Sequence, residues 1–149
     1  MNMKILDTPY GICHLSVVPV RLAPDEGAEM VTQLLFGELL QVLEKHNSWS
    51  YIRLLFDNTE GWVDNNQITE ISDRDYRKSL KKKDKYAHKW LTNLRLKTGD
   101  DLFLHIPKGA TFSHNHLLHT SQSTQRPSNK GVVATALEYL NVPYLPGRK

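Results

Sequence analysis

From Ile12 to Ile71 apolar and polar residues alternate in short runs, and each run is closed by a turn signal. Residues 17–22, VVPVRL, are β-branched and carry Pro19, which places the segment at a sheet edge or at the first position of a strand. Residues 23–29 form a polar Pro/Gly loop, and 30–36 predict the next strand, closed by Gly37-Glu38. Residues 39–45 follow, with Leu40 and Val42 on alternate positions, and 46–48 are a short turn. In 49–56, Trp49, Tyr51 and Arg53 on one face alternate with Ile52, Leu54 and Phe56 on the other. Residues 57–61 are a hairpin turn headed by Asp-Asn, and 62–71 close the set. Five or six short strands, with turns roughly every 8–12 residues, predict a small barrel or sandwich.

The period changes after residue 72. Ser72 or Asp73 can cap a helix, and Tyr76, Leu80, Ala87 and Trp90 recur at helical spacing among lysines. Residues 93–122 are strand-like again but too few for a complete barrel. Residues 121–130 are a polar loop, and Val132, Val133, Ala136, Leu137 and Leu140 outline a short amphipathic helix. The chain therefore reads as mainly β: a small barrel over 1–72, a basic linker helix over 73–92, a partial second β unit over 93–122, and a loop with a short C-terminal helix over 123–149. The barrel is expected to fold by itself.

Charge sharpens that division. Residues 1–72 hold four basic against ten acidic side chains, a net of −6, whereas 73–149 hold fifteen against six, a net of +9. A length of 149 residues excludes a large multidomain enzyme, and no apolar run reaches the roughly 18–20 residues of a membrane span. The single cysteine, Cys13, excludes an internal disulfide and a cysteine-rich zinc site. Asp7, Pro9 and Gly11 interrupt any secretory signal core, so a cytoplasmic location is expected, with the cell envelope as the alternative. The basic half lacks interleaved arginine–aromatic pairs for base stacking, so no nucleic-acid partner is expected. A metal- or nucleic-acid-binding role for the basic, histidine-rich half stays as an alternative.

Candidate chemistry is sparse. Cys13 and His14 are adjacent, so on a strand they point to opposite faces, and Cys13 reads as a buried structural thiol. His105, His114, His116 and His119 form the one tempting metal cluster, because 114 and 116 would share a strand face; no acidic or thiol ligand accompanies them, so no metal and no cofactor is expected. Trp49 and Trp62 each head a strand, and such aromatics either plug a barrel or floor a groove, with packing the commoner role. Tyr10 and Tyr51 carry a polar tip and suit a groove better. Glu26, Glu29, Glu38 and Glu60 lie on loops, where they are either solvated or placed to attract an ammonium group.

Several of these residues recur in a known order. Val20-Arg21, Pro24, Glu29, Val31, Gly37-Glu38, Val42-Leu43-Glu44, Trp49, Ile52-Arg53 and Glu60-Gly61-Trp62-Val63 resemble the bacterial SH3 domain (SH3b). The version most similar opens the NlpC-type γ-D-glutamyl-diamino-acid peptidases. Asp101 to Phe112 resembles the second SH3b domain of those peptidases, and Ala136 to Leu145 resembles the lead-in to their catalytic domain. The resemblance implies an SH3-like barrel and a ligand class of cell-wall (murein) peptide carrying γ-D-glutamate and a diamino acid. It also implies that the nucleophile and its histidines fall beyond Lys149, so no catalytic residue is assigned and the chain is expected to be a non-catalytic targeting module. Expected partners are murein peptide or an NlpC-type catalytic domain; a stand-alone protein–protein adaptor is the alternative. The ligand-contact residues expected are Tyr10, Trp49, Tyr51, Glu60 and Trp62.

Overall fold

The computed structural model describes residues 7–83, 85–87, 91–96, 103–114, 116–118 and 120–121. Seven strands make one antiparallel sheet: β1 (Tyr10–Cys13), β2 (Val17–Arg21), β3 (Met30–Leu35), β4 (Leu39–His46), β5 (Trp49–Leu54), β6 (Glu60–Asp64) and β7 (Ile68–Glu70). Their order is β3-β2-β6-β5-β4-β1-β7. In a flat sheet β1 and β3 would stand roughly 24 Å apart, at roughly 4.8 Å per strand. Instead the Cys13 thiol lies 3.9 Å from the Leu34 carbonyl oxygen. The sheet therefore coils on itself, and side chains of every strand meet in one core: Cys13, Val18, Val20, Leu34, Leu40, Val42, Ile52, Leu54, Val63 and Ile68.

The expected strands are present, with informative departures. The segment read as one strand over 62–71 is two, split by a 3-10 turn at Asn65–Gln67. The Asp64 side chain caps that turn, and buried Ser50 donates to the Asn65 side-chain oxygen at 2.7 Å. Pro19 pairs with Gln33 of β3, while β2 meets β6 only at Arg21, so the missing proline N–H faces a side with no ladder. Asn47 and Asn58 take positive φ (53° and 60°) in the two hairpin turns. Phe56 does not share the buried face of Ile52 and Leu54. Strand β5 ends at Leu54, the Asn58 N–H closes a turn on the Leu54 carbonyl, and Phe56 is left 76% exposed.

The helix expected over 73–92 is shorter. Helix α1 spans Asp73–Ser79, capped by Ser72, whose hydroxyl accepts from the Asp75 N–H at 3.1 Å. Only Tyr76 and Ser79 of this helix are buried, too little apolar surface to carry it further through a lysine run. The chain beyond is claimed by a different partner. The Ala87 N–H donates to the Ala110 carbonyl, Gly109 N–H to Ala87, and Phe112 N–H to Lys85, an extended pairing that a helix cannot make.

Strands β8 (Leu91–Leu96), β9 (Phe103–Pro107) and β10 (Thr120–Ser121) form a second antiparallel sheet in the order β10-β8-β9. Its core is Ala87, Leu94, Ile106, Ala110 and Phe112, together with Phe36 from the turn after β3. Thus the first sheet lends the second its largest fully buried side chain. The loop and helix expected beyond residue 121, and His119, lie outside the described residues. Among the described residues no helix is long and apolar enough to cross a membrane.

Candidate functional site

Cross-strand register decides which side chains share a face, because directly opposed residues point the same way. Tyr51 opposes Trp62, Trp49 opposes Asp64, and Arg53 opposes Glu60. Arg53 also opposes Gln41, which opposes Tyr10. All five expected contact residues therefore lie on the outer face of the first sheet. Trp49, Tyr51 and Trp62 are half-buried there, neither plugging the barrel nor standing free.

Four of the five form one patch. The Tyr51 and Trp62 rings lie 5.3 Å apart and tilted, and His46 meets Trp62 edge-on at 6.2 Å. The Arg53 Nε–H donates to the Glu60 carboxylate at 2.7 Å. Desolvation by its neighbours, and then a hydrogen bond to Glu60, hold the Tyr51 phenol above its ordinary pKa. Tyr10 has a different part. Its ring stacks on Tyr76 at 4.0 Å and 15°, so its face is taken by α1 and serves to dock the helix.

The expected histidine cluster does not assemble as a strand face. Residues 113, 114 and 116–118 form turns rather than a strand. His105 is exposed on β9, His114 is 4% exposed, and His116 is exposed. The His114 Nδ1–H donates to the Gly37 carbonyl at 3.2 Å, which makes this histidine a clasp between the two sheets. No group of three or more histidine, cysteine, aspartate or glutamate side chains able to hold a metal occurs among the described residues. Cys13 is fully buried, and burial pushes its thiol up to about 12, which removes it as a nucleophile.

A concavity not foreseen from the sequence lies where the two sheets meet. It encloses about 240 Å³ and is lined by Leu39, Leu55 and Phe56 on one side and Tyr86, Thr111 and His114 on the other, with Gly37 and Glu38 between. A shallower groove, lined by Thr32, Gln33, Leu35, Leu54 and Asp57, continues from it and shares Glu38 and Phe56. Glu38 is thus the carboxylate common to both. Its side chain accepts from the Leu35 N–H at 2.9 Å. Burial raises its pKa above the ordinary carboxylate value, the Leu35 N–H opposes this, and Asp57 adds to the rise. A half-buried anion of this kind lowers its own cost by taking a cation. The sequence showed Glu38 as one of four loop carboxylates; nothing local marked it, because the cleft around it is completed by Tyr86, Thr111 and His114, 48 to 76 positions away.

Residues 20–68 match the bacterial dipeptidyl-peptidase SH3 domain family, and the expected resemblance is borne out over that segment. The fold is similar to that of an NlpC/P60 family protein from Bacillus cereus, at 13% identity and a TM-score of 0.56. That similarity covers 68% of this chain and 46% of the Bacillus protein, so the chain spans less than half the length of that structure. No curated protein matches the chain.

Proposed function

We propose that this chain is a non-catalytic recognition module for cell-wall peptide. In this reading it receives the free amino end of the peptide at Glu38 and leaves bond cleavage to an NlpC-type catalytic domain. One observation carries the reading: within the segment that matches the SH3 family, Glu38 is a half-buried carboxylate at the floor of a cleft. Leu39, Leu55 and Phe56 offer apolar contact for a small side chain beside the amine. A charge-assisted hydrogen bond in such a cleft contributes about 1.5–3 kcal/mol, or roughly ten- to hundredfold in affinity.

The test is calorimetric titration with L-alanyl-γ-D-glutamyl-diaminopimelate and with its N-acetylated form. The free amine should bind, and acetylation or Glu38→Gln should each weaken binding at least tenfold. Binding should strengthen as pH rises through the raised pKa of Glu38, since only the ionised form pairs with ammonium. Equal binding of the free and acetylated peptides, unaffected by Glu38→Gln, would defeat the proposal. The aromatic patch of Trp49, Tyr51 and Trp62 favours a second reading, an adaptor surface for a protein partner. A partner lost on Trp62→Ala and indifferent to Glu38→Gln would support that one instead.

A further inference from the structure

The cleft leaves the lysines around the end of α1 without a role. Arg74, Arg77, Lys78, Lys81, Lys82, Lys83 and Lys85 are all exposed along and beyond α1. Of these, Arg77 is paired, to Asp73 at 2.7 Å. Among the described residues, Lys78, Lys81, Lys83 and Lys85 form no ion pair. A helix C-terminus is satisfied by one or two cations in its last turn, so five lysines against the single acid Asp84 within residues 78–85 exceed what capping needs. A loop distant in sequence adds to the cluster. The Lys82 ammonium lies 3.3 Å and 3.4 Å from the two ring nitrogens of His116.

We infer that the lysine cluster at the end of α1, with His116 beside Lys82, binds a flexible polymer of phosphodiester repeats that carries no bases. Charge complementarity sets the sign of the partner, and the composition of the patch selects its class. A nucleic acid would call for aromatic platforms among the cations. The tyrosines here are otherwise engaged, Tyr76 against Tyr10 and Tyr86 in the cleft wall. A membrane surface would require an apolar helix face turned outward. The apolar face of α1 is spent on the barrel through Tyr76, leaving Leu80 as its one large exposed hydrophobic. Protein interfaces are depleted in lysine. Lysines act as point charges on long stems, which suits phosphates whose spacing along a flexible chain is not fixed.

His116 supplies a local reporter. Burial first, then Lys82 and His114, then Lys78, hold its pKa below the ordinary value, with Asp75 opposing. A phosphate bound by Lys82 beside His116 offsets the Lys82 charge, so the pKa of His116 should rise on binding.

The experiment uses the full chain and synthetic poly(glycerol phosphate), with binding followed by affinity electrophoresis and His116 followed by NMR titration. Engaging three phosphates gives a salt slope near −2, so affinity should fall roughly 20-fold between 50 and 200 mM salt. The triple variant Lys81→Gln, Lys82→Gln, Lys83→Gln should abolish most of that dependence while keeping the wild-type circular dichroism spectrum. It should leave binding at the Glu38 cleft unchanged, which separates this inference from the preceding one. No binding at 50 mM salt, an unshifted His116, or a triple variant that binds like wild type would each overturn it. Tighter binding to single-stranded DNA or to phosphatidylglycerol vesicles than to the polymer would overturn the assigned class.

Discussion

Gly37 holds the two sheets together, and replacing it with alanine tests how. Its φ is +84°, and an added Cβ would lie 2.0 Å from the Thr111 carbonyl oxygen and 2.9 Å from the Thr111 Cγ2. The first obstacle is backbone, so no rotamer change relieves it. Left-handed geometry costs a residue with a Cβ about 1–2 kcal/mol. Relieving the clash means parting the 35–38 turn from residues 109–112. That breaks the Thr111 N–H bond to the Phe36 carbonyl (3.0 Å) and the His114 bond to the Gly37 carbonyl (3.2 Å). At about 1 kcal/mol each, these bring the loss to about 3–4 kcal/mol. Gly109 is the internal control. Its φ is +92°, but a Cβ there would meet only Leu35 Cδ1, at an ordinary 3.6 Å. Gly109→Ala should therefore cost about 1–2 kcal/mol, the conformational part alone.

Amide hydrogen exchange reads the difference by region. In Gly37→Ala the Ala87, Thr111 and Phe112 amides should exchange roughly 100- to 1,000-fold faster, while the β5 amides keep their protection. Gly109→Ala should accelerate the same amides only about tenfold. Unchanged protection over 85–112 in Gly37→Ala, or equal loss in both variants, would refute the claim that the Gly37–Thr111 approach couples the sheets.

Other outcomes follow from the same packing. Phe36→Ala should destabilise the second sheet by about 3–5 kcal/mol, since it empties the largest buried side chain of that core; selective melting of residues 85–112 in exchange experiments would show it. Gly61→Ala should weaken the barrel by at least about 1–3 kcal/mol, because its Cβ would meet Val20 Cγ1 at 2.6 Å and the Arg21 oxygen at 2.8 Å; urea unfolding measures this. Cys13, with a thiol pKa of about 12, should resist alkylation at pH 8 until the protein is denatured; rapid labelling of the native protein would contradict its burial. Glu38 has a folded pKa above its ordinary value, so its contribution to stability is greatest at acidic pH and is lost as pH rises through the folded pKa. Glu38→Gln should therefore raise the melting temperature at neutral pH and gain nothing near pH 4.

The first sheet was legible in the sequence because its signals are local. Alternation of period two marks β5 as Trp49-out, Ile52-in, and Asn47, Asn58 and Gly37 supply the positive φ that its turns need. The outer-face grouping of Trp49, Tyr51, Glu60 and Trp62 followed from that alternation together with register. Helix α1 was found at its start, where Ser72 caps, and misjudged at its end. Apolar spacing alone cannot tell that Ala87 is held by the Ala110 carbonyl, 23 positions on.

What the sequence by itself determined is the strand character of residues 10–70, the place of most of their turns, the burial of Cys13 and the resemblance of residues 20–68 to an SH3-type domain. What only the tertiary structure decided is where charge and cavity lie. Glu38 became distinctive when residues 86, 111 and 114 closed over it, and Lys82 met His116 across 34 positions. Tyr10 left the candidate surface because Tyr76 covers it. The physical reason is the same each time. Backbone geometry is fixed by near neighbours, whereas desolvation and electrostatic pairing depend on what long-range folding brings within a few ångströms.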